Sequence, residues 1–247
     1  MTNVIELYNV SKKYPKATSF SLNDITFSIK QGDKLGIFGP NGAGKTTLMS
    51  ILCRIIPQTS GNVEYKHDNE QVDNITFLHS IGYVPQDFSF YPELTPYQNL
   101  TYFGTLYSIP KVQLKERITH LMNVLGLSHV THKKIHTFSG GMKRRVNLAI
   151  GIINNPAILF LDEPTVGVDV QSKNAIMAYL EELNAKGTTV VYTSHHMNEA
   201  EDFCNTIVLI DQGELIVQGE IKEVIKQHNA SDLQALFLQL TGSEYRD

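Results

Sequence analysis

Leu35-Gly36-Ile37-Phe38 leads directly into Gly39-Pro40-Asn41-Gly42-Ala43-Gly44-Lys45-Thr46, and Leu48, Ile51, Leu52 and Ile55 follow. The first four residues are a short apolar run suited to a buried strand. The apolar positions after Thr46 recur at helical spacing and predict a helix that starts inside the glycine loop and stops before Pro57. Between strand and helix lies G-x-x-x-x-G-K-[ST], the pattern of a phosphate-cradling loop in its proper setting. Glycines let successive backbone N–H groups point inward at a triphosphate, and the helix N-terminus adds its dipole. The expectation is that Gly39, Asn41, Gly42, Ala43, Gly44 and Thr47 surround ATP. Lys45 then reaches the β- and γ-phosphates, and the Thr46 hydroxyl ligates Mg²⁺.

Upstream, Ile25, Phe27 and Ile29 alternate with Thr26, Ser28 and Lys30, the period of a strand with one buried face, and Gln31-Gly32-Asp33 makes a turn. Downstream the character changes. Thr95-Pro96-Tyr97-Gln98 is a helix start with a capping residue, proline at the first helical position and glutamine three residues after the cap. A second helix carries Leu114, Ile118, Leu121, Met122 and Leu125 and ends at Gly126. From Tyr97 to Ile153 the pattern is helix and loop, a helical insertion in an α/β chain. Strand and helix then alternate again: strand from Ala157 to Leu161, helix from Ser172 to Lys186 closed by Gly187, strand from Thr189 to Thr193. A hairpin is expected around Asp211-Gln212-Gly213. The last thirty residues read as polar and partly helical.

Composition narrows the function classes. Of 247 residues, 42% are hydrophobic and 19% charged, as in a globular chain. A net charge of −4, from 21 basic and 25 acidic residues, gives no electrostatic case for a nucleic-acid partner. Two cysteines, Cys53 and Cys204, fit a reducing compartment. The N-terminus shows no secretory pattern, and no apolar run reaches the roughly 20 residues that cross a bilayer. The nearest, Leu148 to Leu161, is broken by Asn154-Asn155-Pro156. A role at a membrane is therefore expected to run through a partner.

A phosphate loop needs an acidic site for its metal. Ile158-Leu159-Phe160-Leu161-Asp162 supplies a buried strand with an acid at its carboxyl end, where a doubly wound sheet faces its ligand crevice. Asp162 is expected across from Thr46, holding Mg²⁺, and Glu163 is placed to take a proton from the attacking water. Phe138-Ser139-Gly140-Gly141-Met142, ahead of a helix with Val146, Ala149, Ile150 and Ile153 inward, narrows the field further. With these motifs in this order the chain resembles the ATP-binding subunit of an ABC transporter, from about Leu7 to Gly219.

That resemblance implies the rest of the site. Tyr14 falls where an aromatic stacks on adenine. Gln86, in Val84-Pro85-Gln86, matches the glutamine that joins core to helical insert and senses Mg²⁺. Ser139, Gly140 and Gly141 match the signature that caps the γ-phosphate held by the opposite subunit. Asp169 closes the dimer-crossing loop Val166-Gly167-Val168-Asp169, and it is also a natural N-cap for the next helix. His195 matches the switch histidine at the γ-phosphate, with Glu163 and Lys45 completing the catalytic set; His196 is not expected to take part. Two departures stand out: Phe138 replaces the usual Leu, and Met142 replaces a common Gln and cannot make an amide's hydrogen bonds. Lys143-Arg144-Arg145 reads as a solvated helix face. His129, His132 and His136 share no single helix face and surround Lys133-Lys134, which argues against a metal site.

The implied fold is a P-loop NTPase of ABC type, α/β, with a mostly parallel sheet core, an N-terminal antiparallel β portion and a helical insertion. The expected organisation is an ATPase domain over residues 1–220, with core 1–88 and 156–220 and insertion about 89–155, then a C-terminal extension over 221–247. The implied partners are a membrane-spanning transporter subunit and a second ATP-binding subunit, identical or closely related, with no nucleic acid. The implied location is the cytoplasmic face of the cell membrane, reached through the membrane subunit. Ser-Gly-Gly-Met-Lys-Arg-Arg with Thr165-Val166-Gly167-Val168-Asp169 resembles the exporter branch that handles drugs, peptides or lipids. Two other readings compete. A soluble ABC-type ATPase of ribosomes or DNA usually has two cassettes or a long coiled coil, and a small-molecule kinase leaves the signature and His195 unexplained.

Overall fold

A computed structural model describes residues 2–67, 70–194 and 197–242. The chain divides into two compact units, one of Met1–Leu78 with Thr189–Asp247 and the other of His79–Thr188.

The first unit opens with β1 (Asn3–Lys12), β2 (Leu22–Lys30), β3 (Lys34–Phe38), α1 (Lys45–Leu52), β4 (Ser60–His67), β5 (Glu70–Gln71) and α2 (Asn74–Ser80), whose last two residues pass into the second unit. β1 lies between β2 and β4 in an antiparallel sheet of order β2-β1-β4-β5. On β2 the expected alternation holds: Leu22, Ile25, Phe27 and Ile29 are buried and Thr26, Ser28 and Lys30 exposed. Tyr65 of β4 donates its hydroxyl to the carbonyls of Ile51 (3.2 Å) and Leu52 (3.1 Å) at the end of α1. Both carbonyls lie in the last turn of α1, where a helix runs out of donors of its own. Burial pushes the Tyr65 phenol up to about 12, so it stays a donor.

In the second unit, β6 (Ile81–Val84) pairs in parallel with β7 (Ile158–Asp162), every residue of which is buried. Between them come α3 (Pro96–Leu106), α4 (Lys111–Val124) and α5 (Gly140–Gly151), and α6 (Val170–Ala185) follows. Thr95 caps α3 in a complete capping box with Gln98. Gly126 adopts φ 65 just past α4, the left-handed turn that glycine favours there. Among the described residues from 97 to 153 there is no strand.

The chain returns to the first unit with β8 (Thr189–Thr193), α7 (Met197–Phe203), β9 (Thr206–Asp211), β10 (Glu214–Glu220), α8 (Ile221–Gln227) and α9 (Leu233–Thr241). β3 pairs in parallel with both β8 and β9, and β9 turns antiparallel into β10 through Gln212 (φ 50) and Gly213 (φ 80). The C-terminal stretch is less polar than its sequence reading. Leu233 and Leu236 of α9 are buried, and with Phe237 they converge on Phe38, Ile207 and Leu209 of the sheet. No helix among the described residues is long and apolar enough to cross a membrane.

Candidate nucleotide-binding and hydrolysis site

The phosphate loop is fixed by close backbone approach. A Cβ at Gly39 would lie 2.1 Å from the Ile210 carbonyl oxygen, and one at Gly44 would lie 2.5 Å from that of Ser21. Gly44 also adopts φ 108 at the N-cap of α1. The turn between β9 and β10 braces the loop from the other side: the Gly213 N–H donates to the Ala43 carbonyl at 3.0 Å, and the Asn23 N–H donates to the Gly213 carbonyl at 2.7 Å. No side chain caps the first turn of α1, so its positive dipole end faces the loop, as suits an anion. Lys45 Nζ donates to the carbonyls of Gly39 (2.7 Å) and Pro40 (2.9 Å), folding the ammonium over the loop that precedes it. Asn41, Gly42 and Thr46 are exposed. Tyr14 stands on the same unit, 41% exposed, with its hydroxyl 3.4 Å from that of Thr47.

The second unit holds the two carboxylates. Asp162, 5% exposed, ends β7. Glu163 follows at φ 50, a left-handed conformation that costs a non-glycine residue about 1–3 kcal/mol and turns its side chain away from the strand's alternation. The Gln86 amide Nε2 donates to Glu163 Oε2 at 3.0 Å, so the two residues singled out from distant stretches of sequence meet.

Ser139-Gly140-Gly141 and the stretch from Gly167 to Asp169 are also neighbours. Ser139 caps α5, accepting the Met142 N–H at 3.3 Å. A Cβ at Gly141 would lie 2.4 Å from Ser172 Oγ and 2.7 Å from Asp169 Oδ2, and one at Gly140 would lie 3.4 Å from the Gly167 carbonyl. Asp169 caps α6, accepting the Ser172 N–H at 2.9 Å and its hydroxyl at 2.8 Å. These bonds hold its carboxyl below the usual range. The N-cap expectation for Asp169 therefore holds. The expectations for His195 and His196 fall outside the described residues.

One expectation is overturned. Lys143-Arg144-Arg145 is not a solvated face. Arg144 is only 5% exposed; its Nη1 donates to the carbonyls of Gln86 (2.7 Å) and Pro85 (3.3 Å), and its guanidinium lies 5.0 Å from the Phe88 ring centroid. Arg145 Nη1 donates to the Leu125 carbonyl at 2.8 Å. One turn on, buried Asn147 donates to the Pro85 carbonyl (3.1 Å) and accepts the Ser89 N–H (2.9 Å). Burial pushes the Arg144 guanidinium down from its ordinary value, and the carboxylates of Asp87, Glu163 and Asp162 hold it up. Hydropathy could not find this pair, because inward arginine and asparagine carry no apolar signal. The available clue was spacing: Gly141, Arg144, Leu148 and Gly151 fall on one helical stripe, and Gly151 is so tight against β6 that a Cβ would lie 2.4 Å from Val84 Cγ2.

Comparison with known proteins agrees with these motifs. The family described as ABC transporter matches residues 22–166. The linearmycin resistance ATP-binding protein LnrL of Bacillus subtilis (strain 168) is 40% identical over 216 residues, covering 87% of this chain and 69% of that protein. The doxorubicin resistance ATP-binding protein DrrA of Mycobacterium tuberculosis (strain ATCC 25618 / H37Rv) is 32% identical, covering 96% and 70%. Among solved structures, an ATP-binding subunit of an ABC transporter superposes with a TM-score of 0.87 at 24% identity, covering 96% of this chain and 99% of that one, which speaks for the fold. The dimeric post-hydrolysis state of the ATP-binding cassette MJ0796 bound to ADP and Pi superposes with a TM-score of 0.78 at 28% identity, covering 87% and 98%. The chain belongs to the ABC transporter family, as its ATP-binding and ATP-hydrolysing cassette.

Proposed function

We propose that this cassette powers a separate membrane-spanning subunit that exports a drug-like, peptide or lipid cargo. Two copies, or one copy and a close relative, close on two ATP molecules, each bound by the phosphate loop of one chain and by Ser139, Gly140, Gly141 and Asp169 of the other. The relatives named for linearmycin and doxorubicin resistance support the exporter reading. The site then lies at the cytoplasmic face of the membrane.

Within one chain, Gly39 to Thr47 surround the phosphates, Lys45 offsets charge on the β- and γ-phosphoryl oxygens, and Tyr14 stacks on adenine. Glu163 is the general base that takes a proton from the attacking water. The single observation that carries this assignment is the Gln86–Glu163 hydrogen bond, which brings the glutamine that leads into the helical insert onto the acid that follows β7. His195 is assigned the γ-phosphate contact on the sequence alone. By the chemistry of their donors alone, three side chains suit Mg²⁺: the Thr46 hydroxyl on one unit, and on the other the Asp162 carboxylate and the Gln86 amide oxygen, whose NH₂ end is committed to Glu163. These residues would hold the ion, and when bound it would neutralise developing charge on the phosphoryl oxygens.

The test is Glu163→Gln. The variant should bind ATP, elute as a dimer in ATP on gel filtration and hydrolyse about 10²–10⁴-fold more slowly, the usual share of a general base. A wild-type hydrolysis rate in that variant would sink the assignment.

A further inference from the structure

We infer that Arg144, together with Asn147, is a positioning residue for hydrolysis: from α5 it pins the Pro85–Ser89 segment so that the Gln86 amide meets Glu163. The inference rests on the assignment of Gln86 and Glu163 to the reaction.

Four contacts define the clamp. Arg144 Nη1 binds the carbonyls of Pro85 and Gln86, and Asn147 binds the Pro85 carbonyl and the Ser89 N–H. The two ends of the segment are therefore tied to one face of one rigid helix, while Gln86, Asp87, Phe88 and Ser89 are themselves exposed. Exposed main-chain carbonyls are well served by water, and burying a guanidinium is costly unless it is paired. Packing alone does not call for an arginine here, since an apolar side chain of the same length would fill the space. A planar cation that holds two adjacent carbonyls and lies against Phe88 instead fixes where the next side chain points.

The same helix starts at Ser139-Gly140-Gly141. Its tight seats are Gly141 against Asp169 and Ser172, and Gly151 against Tyr83 and Val84. α5 therefore joins the segment assigned to the opposite subunit's ATP with the loop that orients this chain's own Gln86.

The experiment measures kcat and KM for MgATP, and affinity for a fluorescent ATP analogue, on the purified full chain. The variants are Arg144→Met, Asn147→Ala, Gln86→Ala and the double variant Gln86→Ala/Arg144→Met. Small misplacements of a reacting group are expensive in rate, so Arg144→Met should lower kcat about tenfold while KM and analogue affinity stay within about twofold. Acting through Gln86, it should add no further loss to Gln86→Ala. A kcat within twofold of wild type, or a loss that multiplies with that of Gln86→Ala, overturns the proposal. Should Arg144→Met not fold, Asn147→Ala decides, alone and combined with Gln86→Ala: it must show the same kcat-selective, non-additive loss, and a wild-type kcat overturns the clamp. If Glu163→Gln is inactive while Arg144→Met is fully active, only this inference fails. If Glu163→Gln is fully active, the underlying assignment fails.

Discussion

The phosphate loop and the Gln86–Glu163 region are held by opposite means. Around the loop the closest approaches are main chain, and the Lys45 ammonium adds two side-chain bonds to the carbonyls of Gly39 and Pro40. Gly39 and Gly44 lie against the carbonyls of Ile210 and Ser21, and the Gly213 N–H reaches the Ala43 carbonyl. In the helical unit the loops are tied by side chains: Arg144 and Asn147 grip residues 85–89, and Asn99 grips Tyr91. A loop made of backbone contacts tolerates no new atoms. A loop made of side-chain contacts tolerates new atoms but not the loss of donors. The two regions should therefore fail under different substitutions.

The sharpest break is Gly44→Ala. Its new Cβ would have to coexist with a carbonyl oxygen 2.5 Å away at φ 108. Overpacking and left-handed strain together suggest a loss of about 3–5 kcal/mol, read as a fall in the denaturant midpoint, with ATP-analogue affinity falling at least tenfold. Gly42→Ala is the control within the same loop. Gly42 has φ 76 but nothing within 4 Å of a Cβ, so only strain applies and the cost should be about 1–2 kcal/mol. Equal losses at the two positions would mean that close approach does not set this loop.

The side-chain region should break at Asn99. Fully buried, it accepts the Tyr91 N–H at 2.8 Å and donates to the carbonyls of Tyr91 (3.0 Å) and Thr95 (3.1 Å). Asn99→Ala takes the acceptor from the Tyr91 N–H and one of the donors from each of the two carbonyls, and should cost about 2–3 kcal/mol in urea unfolding, with analogue affinity unchanged. A loss below about 0.5 kcal/mol would mean that water replaces the asparagine and that the contrast between the regions is overdrawn.

The same contrast explains what could be read from the chain before its structure. A backbone-built loop writes itself in glycines at fixed offsets, so Gly39 to Thr46 and the turn at Gly213 were legible, as were the capping box at Thr95 and the alternation on β2. Asp162 and Glu163 were legible because a buried strand must end somewhere, and an acid there is conspicuous. The clamp was not. Arg144 is charged, and a charged helix position is ordinarily solvated; its burial depends on where residues 85–89 return in space, which no local window contains. β1, β4 and β6 were hidden for a related reason, since irregular pairing and short length weaken their alternation. The register shifts between β1 and both of its partners mark this directly.

The smallest expected effect tests whether a side-chain tie can be loosened by protons alone. Asp169 holds the start of α6 through the Ser172 N–H and hydroxyl, and those bonds lower its carboxyl from the ordinary 3.8. A folded value below the unfolded one means that the ionised form stabilises the fold. That contribution is present in full above the unfolded value and fades as pH falls below 3.8 through the folded value. Asp169→Asn keeps an acceptor for the cap but has no charge to lose. The difference in melting temperature between wild type and Asp169→Asn should therefore be largest near neutral pH and shrink steadily below about pH 4, measured by thermal melts at constant ionic strength. A gap that stays constant from pH 7 to pH 3 would assign the cap to geometry alone. The ties of the helical unit would then be as indifferent to charge as the glycine contacts of the phosphate loop.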